Sequence, residues 1–310
     1  MDVSKIKGLH HVTAIATSAK RNLDFYTQVL GLRLVKKTVN FDDPETYHLY
    51  FGNEGGEPGT ILTFFPWDDV DPGRRGASQA TEVAFRVPKG SLEWWLQRLD
   101  ERQVIYNKPA HRFDERYLVF LDPDGLKLEL VEVDEERAAP FAGSEVPGEY
   151  AIRGFFGVTL TVNDAADSAT LLTGVFGYEK IAQHVNRHRY ASTDAVVGNI
   201  IDLVELPHEE EGVIAGGSVH HVAFRTESVE SQAAIRQQLR DLGYQPTPQI
   251  DRDYFMAIYF REPQGILFEI ATDPPGFTVD EPIEELGTHL KLPEQYEDDR
   301  EEIEKSLQVL

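Results

Sequence analysis

"KGLHHVTAI", Lys7 to Ile15, returns near the other end of the chain as "GSVHHVAFR", Gly217 to Arg225. Each copy places a His-His pair and a valine at the head of a short apolar run, the composition of a strand. Internal repetition settles an architecture before any single element does. Two further relatives lie between these copies. "ATEVAFRV", Ala80 to Val87, shares Val-Ala-Phe-Arg with the last copy, and "GFFGVTLTV", Gly154 to Val162, matches the first as Gly-x-x-x-Val-Thr. The residue before each shared valine is His11, Glu82, Gly157 and His221, evenly spaced along the chain.

The repeats also end alike. "DPDGLKLELVE" and "EPQGILFEIAT" share a Pro-x-Gly turn before an alternating strand, and "PGTILTFF" and "VGNIIDLVE" keep the turn glycine at Gly59 and Gly198. Four places after each such glycine stand Thr63, Glu129, Asp202 and Glu269. Between the two anchors each unit has room for one helix and more strands. "SAKRNLDFYTQVLG" predicts a helix capped by Ser18, burying Leu23, Tyr26 and Leu30, and stopped by Gly31. "GSLEWWLQRL", "LLTGVFG" and "SQAAIRQQLRDLG" are its counterparts. Runs such as "TYHLYF" and "RYLVFL" supply the remaining strands. The unit is βαβββ, written four times.

The N-terminal half, residues 1–145, then holds modules at 8–67 and 79–134. The C-terminal half, 150–310, holds modules at 152–206 and 217–273 and a polar tail at 274–310, whose "PEQYEDDREEIEKSL" predicts a helix with Glu/Lys pairing.

Composition narrows the function. A net charge of −23 would repel nucleic acid and anionic membrane, so neither is an expected partner. No apolar run approaches a membrane span, and the start of the chain lacks the basic and apolar regions of a secretory signal, so a cytoplasmic protein is expected. There are no cysteines, so a metal site must be built from His, carboxylate and water. No pattern specifies the oligomeric state, and a homo-oligomer stays open.

"FYTQVLGLRLVKK" and the repeated βαβββ unit resemble the vicinal oxygen chelate superfamily, which includes glyoxalases and extradiol dioxygenases. The order of "LHHVT", "YHLYF", "PKGSLEWW", "NRHRY", "HHVAF", "GILFEIAT" and "GFTVDEPIEELG" is similar to the hydroquinone-type ring-cleaving dioxygenases over nearly the whole chain. The resemblance implies an α+β fold in which modules pair into two cup-shaped mixed sheets, one of them carrying a metal.

Residue types say which modules carry it. Strict alternation along a strand would send only one histidine of each pair into the cup. On that reading His11 shares its face with Leu9 and Thr13, and His221 shares its face with Ala223, while His10 and His220 point with Val12 and Val222. The repeat alignment favours His11 and His221, and the resemblance agrees. Modules one and four together offer His11, Thr63, His221 and Glu269 at the anchors; modules two and three offer Glu82, Glu129, Gly157 and Asp202 and no imidazole. Two histidines and one carboxylate with positions left open form the ligand set of non-haem Fe(II) oxygenases, which Mn(II) also accepts. Modules one and four are therefore expected to pair around the metal, and the other cup to be structural.

For the remaining roles the resemblance implies His10 and His220 beside the ligands, Thr13 along the strand from His11, and Arg252 and Tyr259 in the pocket. The expected substrates are O2 and a small dihydroxylated aromatic ring. A glyoxalase-like isomerase is the alternative, but it needs a second carboxylate where this chain has Thr63. A metal-free binding protein of the same fold has no use for His11, His221 and Glu269 together.

Overall fold

The structure, a computed structural model, describes residues 6–134, 138–195 and 197–310. Module one contains β1 (Leu9–Ala16), α1 (Ala19–Asp24), β2 (Arg33–Asn40), β3 (Asp43–Gly52) and β4 (Ile61–Pro66). Module two contains β5 (Gln79–Pro88), α2 (Leu92–Glu101), β6 (Ala110–Arg112), β7 (Glu115–Leu121) and β8 (Lys127–Val133). Module three contains β9 (Phe155–Val162), α3 (Ala166–Gly174), β10 (Glu179–His184), β11 (Arg187–Ala191) and β12 (Ile200–Glu205). Module four contains β13 (Val219–Thr226), α4 (Val229–Asp241), β14 (Ile250–Asp251), β15 (Phe255–Arg261) and β16 (Leu267–Pro275).

In every module the first strand lies parallel to the last, which requires the helix to cross over between them. The modules then join first strand to first strand, antiparallel: β1 with β13, and β5 with β9. This gives two eight-stranded mixed sheets, β14-β15-β16-β13-β1-β4-β3-β2 and β10-β11-β12-β9-β5-β8-β7-β6. Each sheet thus takes one module from each half of the chain, and modules one and four share the first.

Local chemistry explains the details. Ser18 caps α1 by accepting from the Arg21 amide, and Gly31 ends the segment at φ 72°. The helix predicted across this stretch is α1 followed by a π-turn, Phe25–Val29, which turns Tyr26 fully inward. The helices and outer sheet faces share one apolar core containing Leu9, Val12, Tyr26, Trp95, Phe155 and Phe224. Inside the first cup lies a separate cluster that includes Val35, Tyr50, Ala223, Phe255 and Phe277.

The tail is only half the predicted helix. A 3-10 segment, Glu294–Asp299, precedes α5 (Arg300–Ser306). The tail closes the β2 edge of the first sheet. Lys36, fully buried, donates to Asp280 and Glu281 at 2.5 Å each, and Tyr296 donates to the Phe41 carbonyl. No helix among the described residues is long and apolar enough to cross a membrane.

Candidate metal centre

Strand register, not alternation alone, builds this site. Leu9 pairs with Phe224 and His11 with Ala223, so His10 is an extra residue in β1. Thr13 pairs with His221 and Ala14 with Val219, so His220 is the extra residue in β13. Both are β-bulges, which re-aim side chains. Leu9 therefore packs in the outer core with Val12, and not on the face of His11. The expectation of one histidine per pair in the cup is corrected: His220 and His221 both line the cavity, and His10 turns against Phe255 on the cup side. The second sheet has the same bulges, at Thr81 and Phe156. The bulge belongs to the repeat, and modules one and four put histidine in it.

His11 and His221 are held with Nε2 atoms 3.3 Å apart, and Glu269 Oε2 lies 3.3 Å from the first and 3.0 Å from the second. All three side chains are buried, and among the described residues they are the group that could hold a metal ion. Neither oxygen of Glu269 has a hydrogen-bond partner. A buried carboxylate without donors is costly unless a cation compensates it. Burial opposes ionisation of Glu269, yet the two imidazoles hold it well below the usual carboxylate range.

The bulged histidines supply the complement. His10 Nδ1 lies 2.9 Å from His11 Nδ1, and His220 Nδ1 lies 2.8 Å from His221 Nδ1. One nitrogen of each pair must carry the proton. If it is on His11 and His221, their Nε2 lone pairs face Glu269, and three donor atoms converge on one point. These residues fit a divalent cation: two imidazoles, one carboxylate, and outer imidazoles that select the ligating tautomer. Burial and the neighbouring imidazole lower His10 well below an ordinary histidine and His220 to about 3, so both stay neutral acceptors.

The centre forms the floor of a cavity of about 520 Å³ with walls from Phe41, Phe65, Trp67 and Phe255. Arg252 and Tyr259 line it, with Arg252 Nε donating to Tyr259 Oη at 3.3 Å and Nη2 to Asp42 at 3.1 Å. Burial and Glu269 push the Tyr259 phenol well above its usual range, so it stays protonated. Thr13 does not line the cavity. It is fully buried and meets Thr63 Oγ1 at 2.8 Å, and Thr63 meets His48 Nε2 at 2.8 Å. His48 and its partner Tyr50 were missed in the sequence. The available signal was their alternation in "TYHLYF", which puts both on the face of Thr63 once Tyr50 pairs with it.

The second cup shows what the same positions do without a metal. Asp251 pairs with Met256 as His111 pairs with Arg116, and Tyr259 with Glu269 as Val119 with Glu129. Arg112 is therefore the counterpart of Arg252, but it forks Glu129 directly, at 3.0 and 2.5 Å. By the same register Arg187 and Arg189 correspond to His48 and Tyr50, and both bind Asp202. Arg187 and Lys127 also reach Glu82, the counterpart of His221. Gly157 stands where the first cup has His11, and a Cβ there would collide with the Ile200 carbonyl. Guanidinium groups occupy this cup. His188, in the same strand, turns away to Lys180 and Glu205.

The family model described as Glyoxalase/Bleomycin resistance protein/Dioxygenase superfamily matches residues 8–130 and 154–270. The chain is 48% identical to MhqO of Bacillus subtilis (strain 168), to which a ring-cleaving dioxygenase activity is ascribed, over 98% of this chain and 96% of that one. It is 36% identical to the chlorohydroquinone/hydroquinone 1,2-dioxygenase of Sphingobium indicum (strain DSM 16413 / CCM 7287 / MTCC 6362 / UT26 / NBRC 101211 / UT26S), over 98% of this chain and 96% of that one. A crystal structure of a Bacillus subtilis subsp. subtilis str. 168 protein ascribed a dioxygenase activity superposes with a TM-score of 0.95 at 47% identity, covering 99% of this chain and 98% of that one.

Proposed function

Because the chain belongs to the glyoxalase/bleomycin resistance protein/dioxygenase superfamily, we propose that it is a metal-dependent ring-cleaving dioxygenase acting on a hydroquinone-like ring with O2. The carrying observation is the set of His11, His221 and Glu269 donor atoms, buried without hydrogen-bonded protein partners for the carboxylate, at the floor of an aromatic cavity. These three would hold Fe(II), with Mn(II) accepting the same donors. The ion supplies Lewis acidity toward a ring hydroxyl and the redox coupling between ring and O2 that no side chain here provides.

The chain's own residues orient and protonate. Phe41, Phe65, Trp67 and Phe255 sandwich a flat ring and exclude water. Tyr259 accepts from Arg252 and keeps its own proton to donate to a ring oxygen. Arg252 places positive charge where a phenolate develops, in a site where burial strengthens the interaction. With its Nδ1 engaged by His221, His220 carries its proton on Nε2 at the cavity wall, in position to exchange it with substrate. His10 is spent differently, since it packs against Phe255 outside the cavity lining and serves to orient His11. A glyoxalase-like isomerisation lacks its second carboxylate: Thr63 stands at that corner and is engaged by Thr13 and His48.

Oxygen consumption tests the proposal. Anaerobically purified, Fe(II)-loaded protein is expected to take up one O2 per hydroquinone, and the His221→Ala variant none. Uptake with catechol alone would retain ring cleavage and reassign the substrate. No uptake with either ring at full iron occupancy would overturn it.

A further inference from the structure

We propose that Tyr50 is a further substrate contact, facing Arg252 and Tyr259 across the cup, and that His48 is the residue that positions it. The inference deepens the ring-cleaving reading and rests on it. A dihydroxylated ring with one hydroxyl at the histidine–carboxylate cluster has a second hydroxyl to place, and Tyr50 takes it.

Geometry carries this assignment. Tyr50 Oη lies 2.8 Å from His48 Nδ1, and His48 Nε2 lies 2.8 Å from Thr63 Oγ1, which meets Thr13 Oγ1 at 2.8 Å. Both imidazole nitrogens are thereby engaged within the protein. The phenol has His48 as its hydrogen-bond partner among the described residues and lines the cavity, so a second bond is left for a ligand. The rings are fixed: His48 packs on Tyr50 and Phe65, with centroids 4.0 and 4.4 Å away, and Tyr50 packs on Phe277. The second cup gives an independent argument. At the same two positions of β11, Arg187 and Arg189 reach into that cup and bind its anchor Asp202. These positions are built to address whatever occupies the cup. In the first cup they present an imidazole and a phenol.

The hydroxyls of Thr13 and Thr63 can each donate or accept, so His48 can adopt either neutral tautomer. With the proton on Nδ1, the imidazole donates to Tyr50 and frees the phenol proton for the ligand. With the proton on Nε2, Tyr50 donates to His48 and offers the ligand a lone pair. The two arrangements hold the same protons and the same charge. Tyr50 can therefore meet a ring hydroxyl as donor or as acceptor.

Anaerobic calorimetric titration of the Fe(II)-loaded protein with hydroquinone and with phenol tests this without turnover. The wild type is expected to bind hydroquinone about tenfold more tightly, the size of one hydrogen bond in a buried site. Tyr50→Phe should weaken hydroquinone alone and leave a preference of about twofold. His48→Leu should behave like Tyr50→Phe, whereas His48→Gln, with an amide that can bond to both sides, should recover part of the preference. Iron stoichiometry and circular dichroism establish that each variant is folded. Equal weakening of both ligands, or a preserved tenfold preference in Tyr50→Phe and His48→Leu, overturns the inference. If the wild type consumes O2 with hydroquinone while that happens, this inference fails alone. If the wild type neither binds hydroquinone nor consumes O2 with it, the ring-cleaving reading fails and this inference with it.

Discussion

Glu269 stands fully buried with neither oxygen hydrogen-bonded, and in the metal-free protein the His11 and His221 imidazoles beside it are what hold its charge. Glu269→Gln keeps the shape of the side chain and removes the charge that a cation would need. Wild type should gain about 3 kcal/mol at a hundredfold excess of Mn(II) over its Kd, and the variant almost nothing. Thermal melts with and without Mn(II) check this; an equal gain in the variant would refute the claim that the carboxylate is there for a cation. His10→Leu addresses the tautomer. It removes the acceptor for His11 Nδ1–H while leaving the three donor atoms, and should weaken metal affinity by about 10–100-fold in a chelator competition. At this scale the convergence of His11, His221 and Glu269 was legible, because imidazoles and a carboxylate at repeat-equivalent anchors have few other uses together. The bulges were hidden, because one extra residue in a strand leaves no mark on composition and shows only as a register shift against its neighbour. Without the bulge, alternation placed Leu9 on the wrong face and left His10 and His220 out of the cup.

Between elements, the repeat contrasts a histidine cup with an arginine cup. Glu129 on β8 is nearly inaccessible, and Arg112 from the end of β6 is its bidentate partner. Arg112→Ala should destabilise the fold by about 3–5 kcal/mol, since it strands a buried carboxylate, and should leave the metal stoichiometry at one. Replacing both partners, Arg112→Met with Glu129→Leu, should cost far less. Urea denaturation of the three proteins separates these cases; equal losses in the single and double variants would show that the pair is not a compensated unit. The pairing of modules one and four was legible, since only those two carry imidazoles at the repeat anchors. The equivalence of Arg252 with Arg112 was not, because it depends on cross-strand pairs at the short β6 and β14, whose lengths no turn signal fixes. For the same reason Arg252 reads in sequence as a surface residue no less than as a pocket one.

Across the whole molecule, the modules of each half are tied together by a buried acid in a turn. Asp122 of module two accepts from Tyr26 of module one, and Glu262 of module four accepts from Ser168 of module three. Burial raises Asp122 to about 7, and nearby Asp124 adds to the rise. The Leu126 and Asp124 amides and Tyr26 oppose it. Asp124 itself is held by Thr17 and Arg21. The sign follows from proton counting. Below pH ~4 the carboxyl is protonated in both states and costs nothing. Between pH ~4 and 7 the folded chain keeps a proton that the unfolded chain has released, so stability falls as pH rises. Above 7 the carboxylate is ionised in both states, and the full cost is about 4 kcal/mol. Asp122→Asn keeps an oxygen for the Leu126 and Asp124 amides and removes the titration. The variant should match wild type near pH 4 and exceed it increasingly up to pH 7–8, read as the difference in urea stability at each pH. Taking the difference largely cancels the repulsion of a chain with net charge −23, which also grows with pH but is nearly common to both proteins. A flat difference across this range would mean that Asp122 is ionised throughout, and that the link between modules one and two is a charged one.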